Sequence, residues 1–319
     1  MSAGENPGFA IRPLAPADAR AAADVWNRCC DEPEGPLYRG FPADEFDALF
    51  REPADDFAKV SLVATDRDRV VGFANGTVRP GADRAYVTAV MVARERRHRR
   101  VGTRLVAELE RALAAAPGAG AVERYEVVFF NPITLTWLIP GTDGHDHPNS
   151  PGVDVHGDGY VFLKNRGYRD FAYQNSYYLP LAEYVPPANI DEIRRRLSDA
   201  GLRICRYEPE RHTGLDAADG SAEPVLIVED GNRACGFTGP LHVQPSGRGY
   251  FAGIGVHSDY RGRGAAKALF SGLCTELKGM GADFMSLFTG ETNPARNIYE
   301  AAGFRIVRCW ADMRKEIRR

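Results

Sequence analysis

Leu105, Leu109 and Leu113 recur at intervals of four, and so do Leu269, Leu273 and Leu277. That spacing places each trio on one helical face and predicts amphipathic helices over 101–115 and 264–278. Ahead of each helix lie β-rich runs separated by charged or glycine turns. They cover 59–65, 70–78 and 85–92 before the first helix, and 225–229, 234–243 and 250–256 before the second. Runs at 9–14 and 201–207 open the two series, and 122–130 and 284–288 are expected as strands after the helices. Two early helices, 18–30 with Asp18 as its N-cap and 43–50, have no counterpart in the second series. A helix at about 188–200 links the series, and a short one is expected over 294–302.

The two series are copies of one pattern. Gly72 and Gly236 lie 164 residues apart, as do Phe73 and Phe237, Val92 and Val256, and Arg97 and Arg261. Such a constant spacing marks an internal repeat. Near the end of each copy, FLKNRGY aligns with IYEAAGF, with Gly167 against Gly303. The shorter spacing there means that the first copy carries an insertion, near 131–158. At the start, Pro16 pairs with Pro209, so the second copy lacks a segment after its first strand. The expected domains are 1–183 and 184–319.

Composition narrows the function without naming it. Apolar residues make up 44% of the 319, enough for ordinary cores, while the net charge of −3 gives no basic surface for nucleic acid. No run approaches the ~18 apolar residues of a membrane span. The N-terminal MSAGENPGFAIRPL lacks the basic-then-apolar order of a secretory leader. Six cysteines without CxxC spacing read as thiols of a cytoplasmic protein.

The sharpest chemistry lies in GIGVHSDYRGRGAAKALF. Arg261, Gly262, Arg263, Gly264, Ala265 and Ala266 carry a strand into a helix. Small residues there admit a ligand close to the backbone, and the first N–H groups of the helix form an anion site suited to a pyrophosphate. There is no GK[ST] and no GxGxxG, which excludes a P-loop and a dinucleotide fingerprint. The six residues match the [Q/R]-x-x-G-x-[G/A] loop of the GNAT family, and TNPARNIYEAAGF resembles the segment that ends GNAT domains. The chain is therefore identified as resembling a tandem GNAT N-acetyltransferase. The implied fold is α/β, two tandem GNAT folds, each a mixed, mostly antiparallel sheet flanked by helices.

The resemblance implies acetyl-CoA as co-substrate. It puts Tyr299 beside the CoA sulfur as a proton donor and a backbone N–H among Ile254, Gly255 and Val256 on the thioester carbonyl. Asn293 and Asn297 are candidates for polar contacts to the pantetheine arm. Glu291 is the weaker candidate for base, with His242 and His257 as further options. In the first copy, Arg97 and Gly102 keep the first and last loop positions, Arg100 replaces the middle glycine, and Leu163 stands at the tyrosine position. A side chain at Arg100 is expected to restrict the turn. The first copy is thus read as degenerate and the second as catalytic, with a small-molecule amine as acceptor.

The insertion holds PGTDGHDHPNSPGVD, in place of the tyrosine-bearing helix. His145, Asp146 and His147 are candidates for acceptor contacts or for a structural cap. A metal site on them would need a third ligand and an open position, and no HExxH completes it. A non-catalytic acyl-CoA sensor and an enzyme acting on a protein amine are the competing readings. No nucleic-acid or membrane partner is expected, and the chain is taken as a monomer or homodimer.

Overall fold

The computed structural model describes residues 8–214 and 224–317. Most of the N-terminal stretch just discussed, residues 1–7, lies outside them. The strands in chain order are β1 (Ala10–Pro13), β2 (Ala58–Asp66), β3 (Arg69–Val78), β4 (Arg84–Val92), β5 (Arg124–Val127), β6 (Trp137–Leu138), β7 (Asp146–His147), β8 (Val153–Asp154), β9 (Arg169–Pro180), β10 (Leu202–Arg206), β11 (Leu226–Asp230), β12 (Arg233–Gly239), β13 (Arg248–Gly249), β14 (Gly253–Val256), β15 (Phe284–Gly290) and β16 (Arg305–Glu316). The helices are α1 (Ala19–Cys30), α2 (Ala43–Phe50), α3 (Val101–Ala114), α4 (Asp158–Lys164), α5 (Ile190–Asp199), α6 (Ala265–Gly279) and α7 (Arg296–Ala301).

The chain forms two compact units that interleave in sequence. The first holds Met1–Pro140, His147–Gln174 and Cys309–Arg319; the second holds Gly141–Asp146 and Asn175–Arg308. The expected cut at 183/184 divides the repeat. The compact units differ from it because strand pairing carries the C-terminal strand into the first one: Met313 to Glu316 pair antiparallel with Val127 to Arg124 of β5.

In the first unit, β1, β2, β3 and β4 form an antiparallel run. β4 and β5 run parallel but pair only from Arg84–Arg124 to Tyr86–Glu126. Leu105, Leu109 and Leu113 of α3 are fully buried against one sheet face, as their spacing predicts. The other face is covered by α1 and α2, where Trp26, Phe46, Phe50 and Phe73 pack together. Asp18 does not cap α1 with its side chain. Its carboxylate instead accepts from the Ala15 N–H and from Arg12, a stronger charged partner.

In the second unit, β10, β11, β12 and β14 form an antiparallel sheet, and β13 pairs parallel with β15. Leu269, Leu273 and Leu277 of α6 are fully buried, together with Ile190, Ile193 and Leu197 of α5. The single strand expected over 250–256 is broken. β13 stops at Gly249 and β14 restarts at Gly253, so β14 and β15 lie in different sheets. Among the described residues, β14 therefore keeps one edge without a partner strand.

Candidate functional site

The cleft of the second unit is built at the end of β14. A short turn, Ser258–Tyr260, leads through Arg261 into the loop ahead of α6. Gly262 and Gly264 have φ of +77° and +86°, a region that strongly favours glycine. A Cβ on Gly262 would meet nothing within 4 Å, so that face is open. A Cβ on Gly264 would land 2.8 Å from Ile193 Cγ2, so this glycine lets the loop rest on α5. Among the described residues, the N–H groups of Gly262, Arg263, Gly264 and the first residues of α6 have no backbone acceptor. These donors, beside an open Cβ position, fit a diphosphate such as that of CoA. The Arg261 side chain braces the loop: its Nε donates to the Val256 carbonyl at 3.0 Å.

The free edge of β14 supplies the next element. The His257 N–H donates to Cys235 of β12. Alternation along an antiparallel ladder then turns the N–H groups of Ile254 and Val256 to the opposite edge, away from β12. Both point to the edge that β12 does not occupy.

Tyr299 sits on α7 and is 5% exposed. Its ring packs against Tyr177, Phe251 and Phe270 at centroid distances of 5.8, 5.8 and 5.1 Å. Burial, and then the nearby Tyr177 phenol, push its hydroxyl up to about 12, so it stays a proton donor at neutral pH. Asn293 is expected from the sequence to cap the helix; its Oδ1 instead accepts from the Ala295 N–H at 3.0 Å within the preceding turn, and the N-cap is Ala295, without a side-chain bond. The helix starts later than expected, at Arg296, and Gly303 ends it with φ of +91°. Asn293 and Asn297 are exposed on the loop and first turn. Glu291 is exposed just past β15, where its backbone carbonyl accepts from Arg296. His257 is exposed with its Nδ1 3.6 Å from Asp259, and His242 lies edge-on to Tyr250.

The insertion histidines are held by packing. His145 stacks flat on Phe284, at 3.9 Å and 8°, and its Nδ1 is 2.8 Å from the Tyr178 hydroxyl. Asp146 is 7% exposed and its carbonyl accepts from Ser286 Oγ. His147 is 8% exposed, with Nδ1 2.9 Å from the Asn149 carbonyl. Asp146 and His147 are buried, while His145 is half-buried with one ring face against Phe284. The insertion also does not replace the helix that follows it: α4 is present and carries Leu163, 7% exposed, at the tyrosine position.

Another cluster was not singled out by sequence. Cys205, His212 and Glu229 bring ligand atoms within 4.8 Å of one another. His212 Nδ1 accepts the Glu208 N–H at 2.8 Å, which leaves the ring proton on Nε2, facing Glu229 at 3.5 Å. Arg203 and Arg211 hold the same carboxylate at 2.7 and 2.5 Å and keep it ionised down to about 2. This is a hydrogen-bonded ion-pair cluster whose imidazole turns a proton, not a lone pair, inward. The cluster borders a groove of 680 Å³ along β10 that includes neither the glycine loop nor Tyr299.

The first unit keeps the loop but not the opening. His98 and Arg100 occupy the Gly262 and Gly264 positions with φ of +59° and +63°. The expectation that Arg100 restricts the turn is corrected: the turn is kept, at the price of left-handed strain in two side-chain-bearing residues. Arg97 Nε donates to Val92 O at 3.1 Å, the same brace as Arg261, and Glu32 holds its other nitrogens at 2.6 and 2.9 Å. Where β4 and β5 separate, the chain fills the gap. Asn131 Nδ2 donates to Thr88 Oγ1, its Oδ1 accepts from Thr77, and Ile133 and Leu135 are buried beside it. A void of 20 Å³ is left there, about one water.

The GNAT acetyltransferase family model matches residues 26–132 and 190–304. Comparison with curated proteins finds no match. Among solved structures, a GCN5-related N-acetyltransferase from Sphaerobacter thermophilus superposes with a TM-score of 0.61 at 18% identity, covering 98% of this chain and 96% of that one. A tandem GNAT protein from the clavulanic acid biosynthesis pathway gives 0.60 at 16% identity, covering 97% and 98%. A glucosamine N-acetyltransferase region of a fungal multi-domain β-N-acetylglucosaminidase gives 0.66 at 16%, covering 96% of this chain and 38% of that one. At these identities the likeness is one of fold.

Proposed function

The chain belongs to the GNAT acetyltransferase family, and on that premise we propose that it transfers an acetyl group from acetyl-CoA to an amine of a small molecule, with the second unit as the catalytic one. One observation carries the choice of unit. The second unit combines an open glycine cradle, an unpaired β14 edge and a buried tyrosine, whereas the first unit closes the equivalent gap with its own chain.

Bound acetyl-CoA supplies the activated thioester; the rest is work for side chains and backbone. The loop N–H groups of Gly262 to Ala266 hold the diphosphate, and Gly264 and Ile193 fix the loop's position. The Ile254 or Val256 N–H donates to the carbonyl oxygen as charge develops on it. Tyr299, held protonated by burial, gives its proton to the leaving thiolate. Asn293 and Asn297 face the pantetheine arm. Glu291 takes the amine's proton, directly or through water. A small amine is favoured over an acidic macromolecule by the near-neutral charge of the chain. The fungal neighbour described as a glucosamine N-acetyltransferase gives precedent for such an acceptor on this fold. A reducing cytoplasm suits the six free thiols.

Free-thiol release from acetyl-CoA across a panel of amines, with wild type and Tyr299→Phe, tests the reading. Turnover that falls sharply in the variant supports it. Tight acetyl-CoA binding without turnover on any amine overturns it in favour of a sensor.

A further inference from the structure

We propose that Phe237 forms the floor of the acceptor pocket, and that the acceptor is therefore an amine carried on an apolar or aromatic skeleton. This rests on the reading of the second unit as the catalytic one.

The argument starts from one row of residues across each sheet. In the first unit, Val63, Phe73 and Met91 lie side by side on β2, β3 and β4, on the face opposite α3. All three are buried, at 0, 0 and 5% exposure, under α1 and α2. The corresponding row of the second unit is Ile227, Phe237 and Gly255, in the same lateral register on β11, β12 and β14. Among the described residues, that copy has no counterpart of α1 and α2. Phe237 is 44% exposed, a large aromatic left open at a position that its own repeat buries completely.

The neighbour at the end of the row has changed as well. Gly255 stands where the first unit has Met91. A Cβ there would come 3.0 Å from the Phe237 ring, so the glycine lets the ring lie down on β14. The same strand turns the Ile254 and Val256 N–H groups to its free edge. Phe237 and Gly255 thus form a flat apolar platform on the strand that would polarise the thioester. It occupies the space that helices and a methionine fill in the first unit. A skeleton laid on this platform removes apolar surface of both partners from water. A strongly hydrated acceptor such as a sugar gains little from it.

The experiment compares phenethylamine with glucosamine as acceptors for wild type, Phe237→Ala and Phe237→Leu. Wild type is expected to favour phenethylamine in KM. Phe237→Ala is expected to raise the phenethylamine KM about ten-fold relative to that for glucosamine, and leucine to restore most of it. Calorimetry of phenethylamine on the CoA-loaded protein supplies a readout independent of turnover, and acetyl-CoA affinity reports that each variant is folded. An unchanged ratio of KM values, or unchanged phenethylamine binding in Phe237→Ala, overturns the inference. Loss of turnover in Tyr299→Phe with that ratio unmoved would leave the catalytic assignment standing while this proposal falls.

Discussion

The two glycine-loop positions of the second unit, Gly262 and Gly264, and their counterparts His98 and Arg100 take the same left-handed backbone. Shape at the loop is thus not what separates the units. The units part company at what the loop leaves open and at what lies across the cleft. In the second unit a phosphate could reach the backbone at Gly262, and β14 has a free edge. In the first, side chains stand at both positions and Asn131, Ile133 and Leu135 fill the gap. The loop's scaffold serves packing in both units: Arg97 ties the first unit's loop to β4 and to Glu32, as Arg261 ties the second unit's loop to β14.

The sharpest way to break this contrast is to give the second unit the first unit's residue. Gly264→Arg puts a Cβ 2.8 Å from Ile193 and a long side chain beside the N–H cradle. The expected outcome is a loss on the order of 1000-fold in kcat/KM for acetyl-CoA, from left-handed strain plus displaced phosphate contacts. Steady-state kinetics with varied acetyl-CoA reads it. Near-normal kinetics would mean that the glycine is not what distinguishes the units.

Tyr299→Phe keeps the ring contacts with Tyr177, Phe251 and Phe270 and removes only the hydroxyl. A drop of about 100-fold in kcat is expected, with little change in KM for acetyl-CoA. Because the phenol is raised to about 12, wild-type kcat should show no falling limb from this group below pH ~10. A kcat within two-fold of wild type would reduce Tyr299 to a packing residue, as Leu163 is at the equivalent position of the first unit.

Much of this was legible in the sequence because it is local. Leucine spacing gave α3 and α6, the glycines gave the loop, and the constant spacing between copies exposed the repeat. Gly303 announced the end of α7, while its start lies later than Asn293 suggested. The rest depends on contacts distant in sequence. That β16 pairs with β5 is a matter of strand partnership, which no periodicity encodes. That the candidate acceptor-contact residue His145 stacks on Phe284 is likewise a contact between segments distant in sequence. Arg100 reads as a barrier to the turn, yet it takes the left-handed conformation itself, with φ of +63°. The pairs Phe73 with Phe237 and Met91 with Gly255 were aligned by the repeat, but only burial shows that they differ.

If the first unit is a packed core and not a site, its buried carboxylate should burden stability and contribute nothing to turnover. Asp312 is 4% exposed, accepts from Gln174 at 2.9 Å, and is pushed by burial up to about 6. Its folded value lies above the unfolded one, so stability is fullest below pH ~4 and is lost as pH rises through about 6. Asp312→Asn is expected to stabilise the protein by about 1–2 kcal/mol at pH 8 and by much less at pH 4. Thermal unfolding at the two values checks it, with kcat expected to stay at the wild-type level. An equal gain at both would locate the effect in packing and not in charge.

The smallest effect comes from the reverse exchange. Arg100 holds φ of +63° as the residue ahead of α3, and a glycine takes that conformation without the Cβ conflict. Against this, glycine loses more backbone freedom on folding, so Arg100→Gly should stabilise the first unit by only about 0.5 kcal/mol. Its value lies in a second measurement. Calorimetric titration with acetyl-CoA should still give one site per chain, because Asn131 and its neighbours continue to fill the cleft whatever the loop carries. A second site appearing in Arg100→Gly would show that a single side chain, and not the filled gap, keeps the first copy from binding the cofactor.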